Sequence, residues 1–233
     1  MPCLKRTSKP IHPAARQLPA ECWHTFEETH HAMKILTSLI LTTLMIACQP
    51  DLKERESEEA YKKGIETLET LLEDGEPDYK KAQEHFAQAT HLNPENITAQ
   101  YWKADAELKL GKFDESLRTS LTALDKTEFK HRLRPHFFVI AGISAKKIGK
   151  SGNDYFKEAI AIYETRIKDD INDIDAIMNK AIVLCYMDKK ENAIAFLNTL
   201  SLNEENQAFL EQMKVDIRTF DADEVLNQLK MEK

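Results

Sequence analysis

Residues 97–125 read Ile-Thr-Ala99-Gln-Tyr101-Trp-Lys-Ala104-Asp-Ala-Glu-Leu-Lys-Leu-Gly111-Lys-Phe113-Asp-Glu-Ser116-Leu-Arg-Thr-Ser-Leu-Thr-Ala123-Leu-Asp125. Apolar and small residues recur at helical spacing on either side of Gly111, which describes two short amphipathic helices joined at that glycine. Ala104 and Ala123 sit where two antiparallel helices press closest, and Gly111 can take the positive φ that ends the first helix. One such pair cannot bury its own apolar face, so similar pairs are expected on both sides of it.

Degenerate copies of the pattern are present. Upstream, Asp78-Tyr79-Lys-Lys-Ala82-Gln-Glu-His-Phe86-Ala-Gln-Ala89-Thr-His-Leu92-Asn-Pro94 reads as a second helix, and its first helix is predicted over Glu58 to Leu72, with Gly64 at the small position. The link Glu73 to Pro77 is longer than its counterparts. Downstream, Gly142 and Gly149 repeat the spacing of Ala104 and Gly111, followed by Phe156, Ala159 and Tyr163 after a short insertion at Lys150-Ser-Gly-Asn153. A fourth copy runs from Ile177 and Ala181 through Met187-Asp188 to Ala193 and Leu197.

The four copies resemble tetratricopeptide repeats, a helix-turn-helix unit of roughly 34 residues. That resemblance implies an all-α fold, a right-handed superhelical solenoid of antiparallel helix pairs, with about four repeats over 58–200. After them, Asn203 opens a helix to about Arg218. Asp221 then reads as an N-cap with Glu224 three residues later, ahead of Val225, Leu226 and Leu229. Residues 201–233 are therefore expected to be a capping helix pair that stops the stack.

The N-terminal part is of a different kind. Residues 1–32 carry four prolines and no apolar periodicity. From Met33-Lys34 an apolar and hydroxyl run continues to Ala47 and stops at Cys48. A basic residue, about a dozen apolar residues and a small residue before the cut are the parts of a secretory signal peptide, and the run is too short to span a bilayer. Met45-Ile46-Ala47-Cys48 resembles a bacterial lipobox, although it has Met45 where the family usually has Leu and Ile46 where a smaller residue is usual. The resemblance implies lipid on Cys48 and residues 33–47 as signal peptide; the other readings are an ordinary signal or a buried apolar helix. Translation is then expected to start at Met33, with residues 1–32 an over-extended gene start or a disordered leader. Residues 48–57, polar and charged, read as a tether. With Gln49 rather than Asp after the Cys, the lipobox resemblance implies the outer membrane, facing the periplasm.

Composition narrows the function. The chain has a formal net charge of -7, which becomes -9 without residues 1–47, and an acidic body argues against nucleic acid as partner. Of four cysteines only Cys185 lies inside the repeats, so there is no disulfide framework, and its apolar neighbours indicate packing. Cys22, His24, Glu27, His30 and His31 are all metal-ligand types, but their spacing fits no closed structural site, and no metal or other cofactor is expected. No Gly-rich phosphate loop, His-Glu-x-x-His motif or Gly-x-Ser-x-Gly elbow is present, so the chain is not expected to be an enzyme. The one basic cluster, Lys130 to Arg134, reads as an exposed loop.

Helical repeats curve, and the first helix of each pair lines a concave face on which partner peptides lie. By register with the family, the candidate groove residues are Tyr61, Tyr101, Asp105, Leu108, His136, Lys147, Met178 and Tyr186. Ile65, Leu68, Val139, Ile143 and Ile182 share that face, with Ile65, Val139 and Ile182 equally readable as core. The tyrosines are favoured as groove residues because their hydroxyls need water or a partner. Chaperone-cofactor domains of this family clamp a C-terminal carboxylate with cationic side chains. The matching positions here hold Tyr61, Ile65, Trp102, His136 and Ile140, so that role is not expected. The resemblance implies a lipid-anchored, non-catalytic scaffold of the bacterial cell envelope that binds a protein or peptide. A component of outer-membrane assembly or secretion machinery, and an accessory factor of an envelope enzyme such as a peptidoglycan hydrolase, remain open.

Overall fold

The computed structural model describes residues 52–72 and 75–229. Within them the chain forms ten helices and no strand: α1 (Leu52–Glu69), α2 (Tyr79–Leu92), α3 (Ile97–Lys109), α4 (Phe113–Lys126), α5 (Arg134–Lys147), α6 (Asn153–Asp169), α7 (Ile174–Tyr186), α8 (Lys190–Asn198), α9 (Glu204–Thr219) and α10 (Ala222–Gln228). Each helix from α1 to α8 packs on the next one in the chain, α3 also packs on α5, and α7 on both α9 and α10. Four pairs in a row, with α9 and α10 each packed on the fourth pair, make the all-α solenoid predicted from the repeats. None of these helices is long and apolar enough to cross a membrane.

Short polar residues set the helix starts. Asp78, Asn96, Asp173 and Asn203 each accept a hydrogen bond from the backbone N–H three residues on, satisfying a donor the helix cannot pair internally. Asp221 does so for both Asp223 and Glu224, at 3.0 Å, as its spacing predicts. Arg134, from the basic cluster, is structural: its guanidinium donates to the Leu124 carbonyl at 2.8 Å and to Thr127, closing the C-terminal end of α4.

Small residues carry the close approaches inside pairs. Ser116 Oγ donates to the Ala104 carbonyl at 2.8 Å and Ser144 Oγ to Ser116 Oγ at 3.1 Å, so three successive helices are stitched at positions too tight for larger side chains. Where α6 presents Phe156, α5 has Gly142, and a Cβ built there would lie 2.4 Å from the ring. The turns between paired helices need a left-handed residue: Gly111 has φ 78° and Gly149 φ 75°, and in the fourth pair the place is taken by Asp188 at φ 59°. A non-glycine residue there costs on the order of 1–2 kcal/mol, less for Asp, whose side chain can bond locally. Its carboxylate meets Lys146 at 3.6 Å with Asp188 largely exposed, a pair that contributes little. Asp188→Gly is therefore expected to stabilise the chain by about 0.5–1 kcal/mol in urea denaturation.

The structure corrects the N-terminal boundary. The tether predicted over 48–57 gives way to helix at Leu52, six residues before Glu58, because Ser57 is buried under the next pair. Its hydroxyl donates to the Ala89 carbonyl at 2.9 Å and accepts from Asn96 Nδ2 at 3.1 Å. α1 ends at Glu69, and the long link closes by a bond from Leu72 N–H to the Glu76 carbonyl at 2.8 Å. The expected leader (1–32), signal (33–47), lipidation residue Cys48 and Cys22/His24 group lie outside the described residues.

Candidate functional site

Three first helices, α3, α5 and α7, bring the predicted groove residues together. Tyr101, Asp105 and Leu108 recur one turn apart on α3, and His136, Val139, Ile140 and Ile143 on α5. Asn179, Ile182 and Tyr186 follow on α7. With Lys109, Val225 of α10 and Leu229 just after it, they line one open hollow of about 230 Å³. Five of the eight predicted groove residues, Tyr101, Asp105, Leu108, His136 and Tyr186, are thus in one place. Met178 lines an adjoining hollow of about 160 Å³ with Phe209 and Phe220, and Ile182 borders both.

The other two predicted residues do different work. Tyr61 is half-buried with its ring 6.1 Å from that of Phe86, so it belongs to the α1–α2 packing and not to this hollow. Lys147 reaches across to α10, where its Nζ donates to the Leu226 carbonyl at 2.7 Å. The preference for tyrosines over aliphatics also reverses in one case. Tyr186 is only 7% exposed, stacked on Phe156 and edge-on to Phe220, whereas Val139 and Ile182 are half-open on the hollow. A ring wide enough to span two layers is taken up by core packing even when its hydroxyl stays near the surface.

The wall of the hollow is held by a relay of side chains. The His136 ring stands edge-on between Tyr101 (5.9 Å) and Tyr163 (6.1 Å), and Tyr163 Oη lies 3.4 Å from His136 Nδ1. The Arg166 guanidinium sits 5.9 Å from the Tyr163 ring centre and binds Asp173 through two bonds of 2.9 Å and Asp175 through a third. Asp175 in turn accepts from Asn179 Nδ2 at 2.9 Å. α3, α5, α6 and the start of α7 are thereby fixed relative to one another, which gives a preformed surface.

Its electrostatics are unusual for an acidic chain. Burial lowers the His136 pKa, so the ring is neutral at pH 7, and burial with nearby Asp105 and Asp175 pushes the Tyr101 phenol up to about 12. Asp105 is raised as well, by burial, with Lys109 opposing. The hollow therefore sets the neutral Tyr101 and His136, and the ammonium of Lys109, around one poorly solvated carboxylate. Such a carboxylate makes Asp105 a candidate binding group. Because the folded pKa lies above the unfolded one, the folded state holds the proton more tightly. Asp105 thus subtracts stability as pH rises from about 4 through its folded pKa. Asp105→Asn should raise the melting temperature at pH 7 and flatten that part of the pH profile, as thermal scans from pH 3 to 8 would show.

A larger cleft, about 340 Å³, lies on another face of α3 between Thr90, Gln100, Lys103, Glu107, Thr119, Thr122 and Lys126. Its charges are already engaged: Glu107 accepts from Thr119 at 2.7 Å and faces Lys103 at 3.6 Å, and Lys126 binds Glu95 at 2.7 Å. It is a polar seam between repeats. Cys185 is buried and its thiol pKa is raised by that burial, which makes it unreactive. Among the described residues no cluster of His, Cys, Asp and Glu could hold a metal ion. Sequence reasoning did not place Asn179, Val225 or Leu229 in the groove. Asn179 could have been found by extending the register of Met178 and Ile182; nothing in the pattern of α10 says which repeat it lies on.

Residues 71–127, which carry α2 to α4 and hence Tyr101, Asp105 and Leu108, match the family model described as tetratricopeptide repeat. Among curated proteins none matches the chain. Among solved structures it is similar to TTC0263, a thermophilic TPR protein of Thermus thermophilus, with 18% identity over 74% of this chain and 87% of that one, and a TM-score of 0.47. It is also similar to MamA protein, with 13% identity over 73% of this chain and 88% of that one, and a TM-score of 0.40.

Proposed function

We propose, from the premise that this chain is a tetratricopeptide repeat protein, that it is a non-catalytic scaffold which binds a protein or peptide segment in the groove between α3, α5 and α7. The observation that carries the reading is the convergence of Tyr101, Asp105, His136 and Asn179 with an aliphatic floor on one preformed hollow. Neutral donors and acceptors suit a peptide backbone, the floor suits apolar side chains, and Asp105 suits a cationic or donor group. Catalysis would need an activated nucleophile or a poised acid and base in reach of each other. Here the Nδ1 of His136 faces the Tyr163 hydroxyl at 3.4 Å, and the Cys185 thiol is buried with its pKa raised.

The same reading places the scaffold at a bacterial envelope through lipid on Cys48, with the repeats facing the periplasm. It is supported by the run from Met33 to Cys48. Confinement to a membrane surface would raise the effective concentration towards envelope partners. A role within outer-membrane assembly or secretion machinery, or beside an envelope enzyme such as a peptidoglycan hydrolase, fits a scaffold so placed. Intact mass of the protein from a membrane fraction tests the anchor. A chain starting at Cys48 with diacylglycerol and acyl groups, lost in Cys48→Ala, is expected; an unmodified soluble chain starting at Met1 would refute it.

The groove is tested by a photoreactive amino acid placed at Val139, in the hollow, and in a second chain at Thr122, in the polar seam. Both are expressed in the native host and irradiated. A discrete adduct from Val139 and none from Thr122 is expected, with circular dichroism verifying that both chains fold. Equal yields from the two positions would remove the groove as the binding surface.

A further inference from the structure

The last described helix lies where a bound segment would lie. α10 has seven residues, two turns, far below the length at which a helix sustains itself in water. It is held from outside. Asp221 caps its start, Leu226 is buried, and Val225 and Leu229, four residues apart and half-buried, line the same hollow as Tyr101, His136 and Ile182. The remaining hold comes from a distant repeat: Lys147 on α5 donates from its Nζ to the Leu226 carbonyl at 2.7 Å while lying 5.2 Å from the centre of the Phe113 ring. A lysine at the carbonyl end of a helix satisfies an unpaired acceptor and opposes the negative end of the dipole.

A helix serving only to close the stack would cover the exposed flank of the pair before it, which is what α9 does against α8 and α7. α10 also packs on α7, the first helix of the fourth pair, but from the groove side, where Val225 narrows the hollow. We infer that α10 is a removable occupant of the groove: the partner is a short amphipathic helical segment with aliphatic side chains four residues apart, and it binds by taking the place of α10 under Lys147. This rests on the groove being the binding surface, as proposed above. A tethered helix competes at an effective concentration on the order of millimolar, so a weak partner is kept out and only a better-fitting or concentrated one enters.

The probe is a dye-labelled synthetic peptide of residues 219–233, titrated by fluorescence anisotropy against three full-length chains: wild type, Asp221→Ala and Val225→Asp/Leu229→Asp. Losing the cap should loosen α10 by about 1 kcal/mol and tighten peptide binding about 5-fold. Losing both aliphatics should tighten it at least 10-fold, and adding Lys147→Met to that chain should reverse the gain. Should the double variant fail to fold, Asp221→Ala still decides. The same affinity in every folded chain, or no binding in any, overturns self-occupation. If the Val139 adduct nevertheless forms, the groove stands and α10 is a fixed cap; if it does not, both readings fall.

Discussion

Phe156→Ala is expected to lower the unfolding free energy by about 3–5 kcal/mol, the largest effect of any single change considered. Phe156 has no exposed surface, stacks on Tyr186 at 6.1 Å, and fills the space that Gly142 leaves open in the third pair. Gly142→Ala approaches the same contact from the other side. Its new Cβ would meet the ring at 2.4 Å, and the Gly142 carbonyl already fills the space where a Cβ on Gly152 would be, 2.2 Å away. Neither wall can retreat cheaply, so a loss of about 1–3 kcal/mol is expected. The two changes should not add. In Gly142→Ala/Phe156→Ala the methyl group occupies part of the cavity, so the double variant should be more stable than the sum of the singles by about 1 kcal/mol. Guanidinium denaturation of the four chains measures this directly, and strict additivity would mean that the helices shift apart instead of clashing.

Arg166→Met is the second large effect, expected to cost about 2 kcal/mol. The guanidinium is the common partner of Asp173 and Asp175, with Arg166 and Asp173 side chains 25% and 20% exposed and Asp175 38%. Breaking a fully buried pair costs about 3–5 kcal/mol, and the partial exposure here reduces that. Methionine keeps an unbranched apolar side chain and removes the fork, with its bonds to both carboxylates and its place 5.9 Å from the Tyr163 ring centre. Asp173 is also the N-cap of α7, accepting from Ala176 N–H at 3.0 Å, so the loss should appear locally as faster amide exchange at the start of α7. Uniform exchange along the chain, or an unchanged melting temperature, would show that the relay from Tyr101 to Asp175 does not hold the groove.

Most of this architecture is legible from residue types because the packing depends on where side chains are small. Ala104, Gly142 and Ala181 mark the close approaches in three pairs, and Gly111 and Gly149 mark the turns. Asp188 is recognised at the fourth turn only by register, since a left-handed aspartate has no distinct signature. The true start of α1 escapes composition because Glu54 to Glu59 reads as solvated, while the residue that ties it down, Ser57, is neither apolar nor charged. The groove is legible where the pattern of the first helices is regular, on α3 and α5. Register fails for Tyr61, whose ring is claimed by Phe86, and for Lys147, whose amine is claimed by the Leu226 carbonyl, because the partner that takes up a side chain is decided by neighbours far away in sequence. The inward turn of α10 is not legible at all. Its caps and apolar positions specify a helix and leave its docking face open.

Asp105 links the stability of the chain to its proposed work, so the most direct measurement pairs the two. Melting temperature at pH 7 and Val139 adduct yield would be compared in chains with and without Asp105→Asn. A binding groove that retains a poorly solvated carboxylate for its partner predicts a higher melting temperature and a lower adduct yield in the same variant. A higher melting temperature with undiminished yield would contradict the account, because Asp105 would then burden the fold without serving recognition.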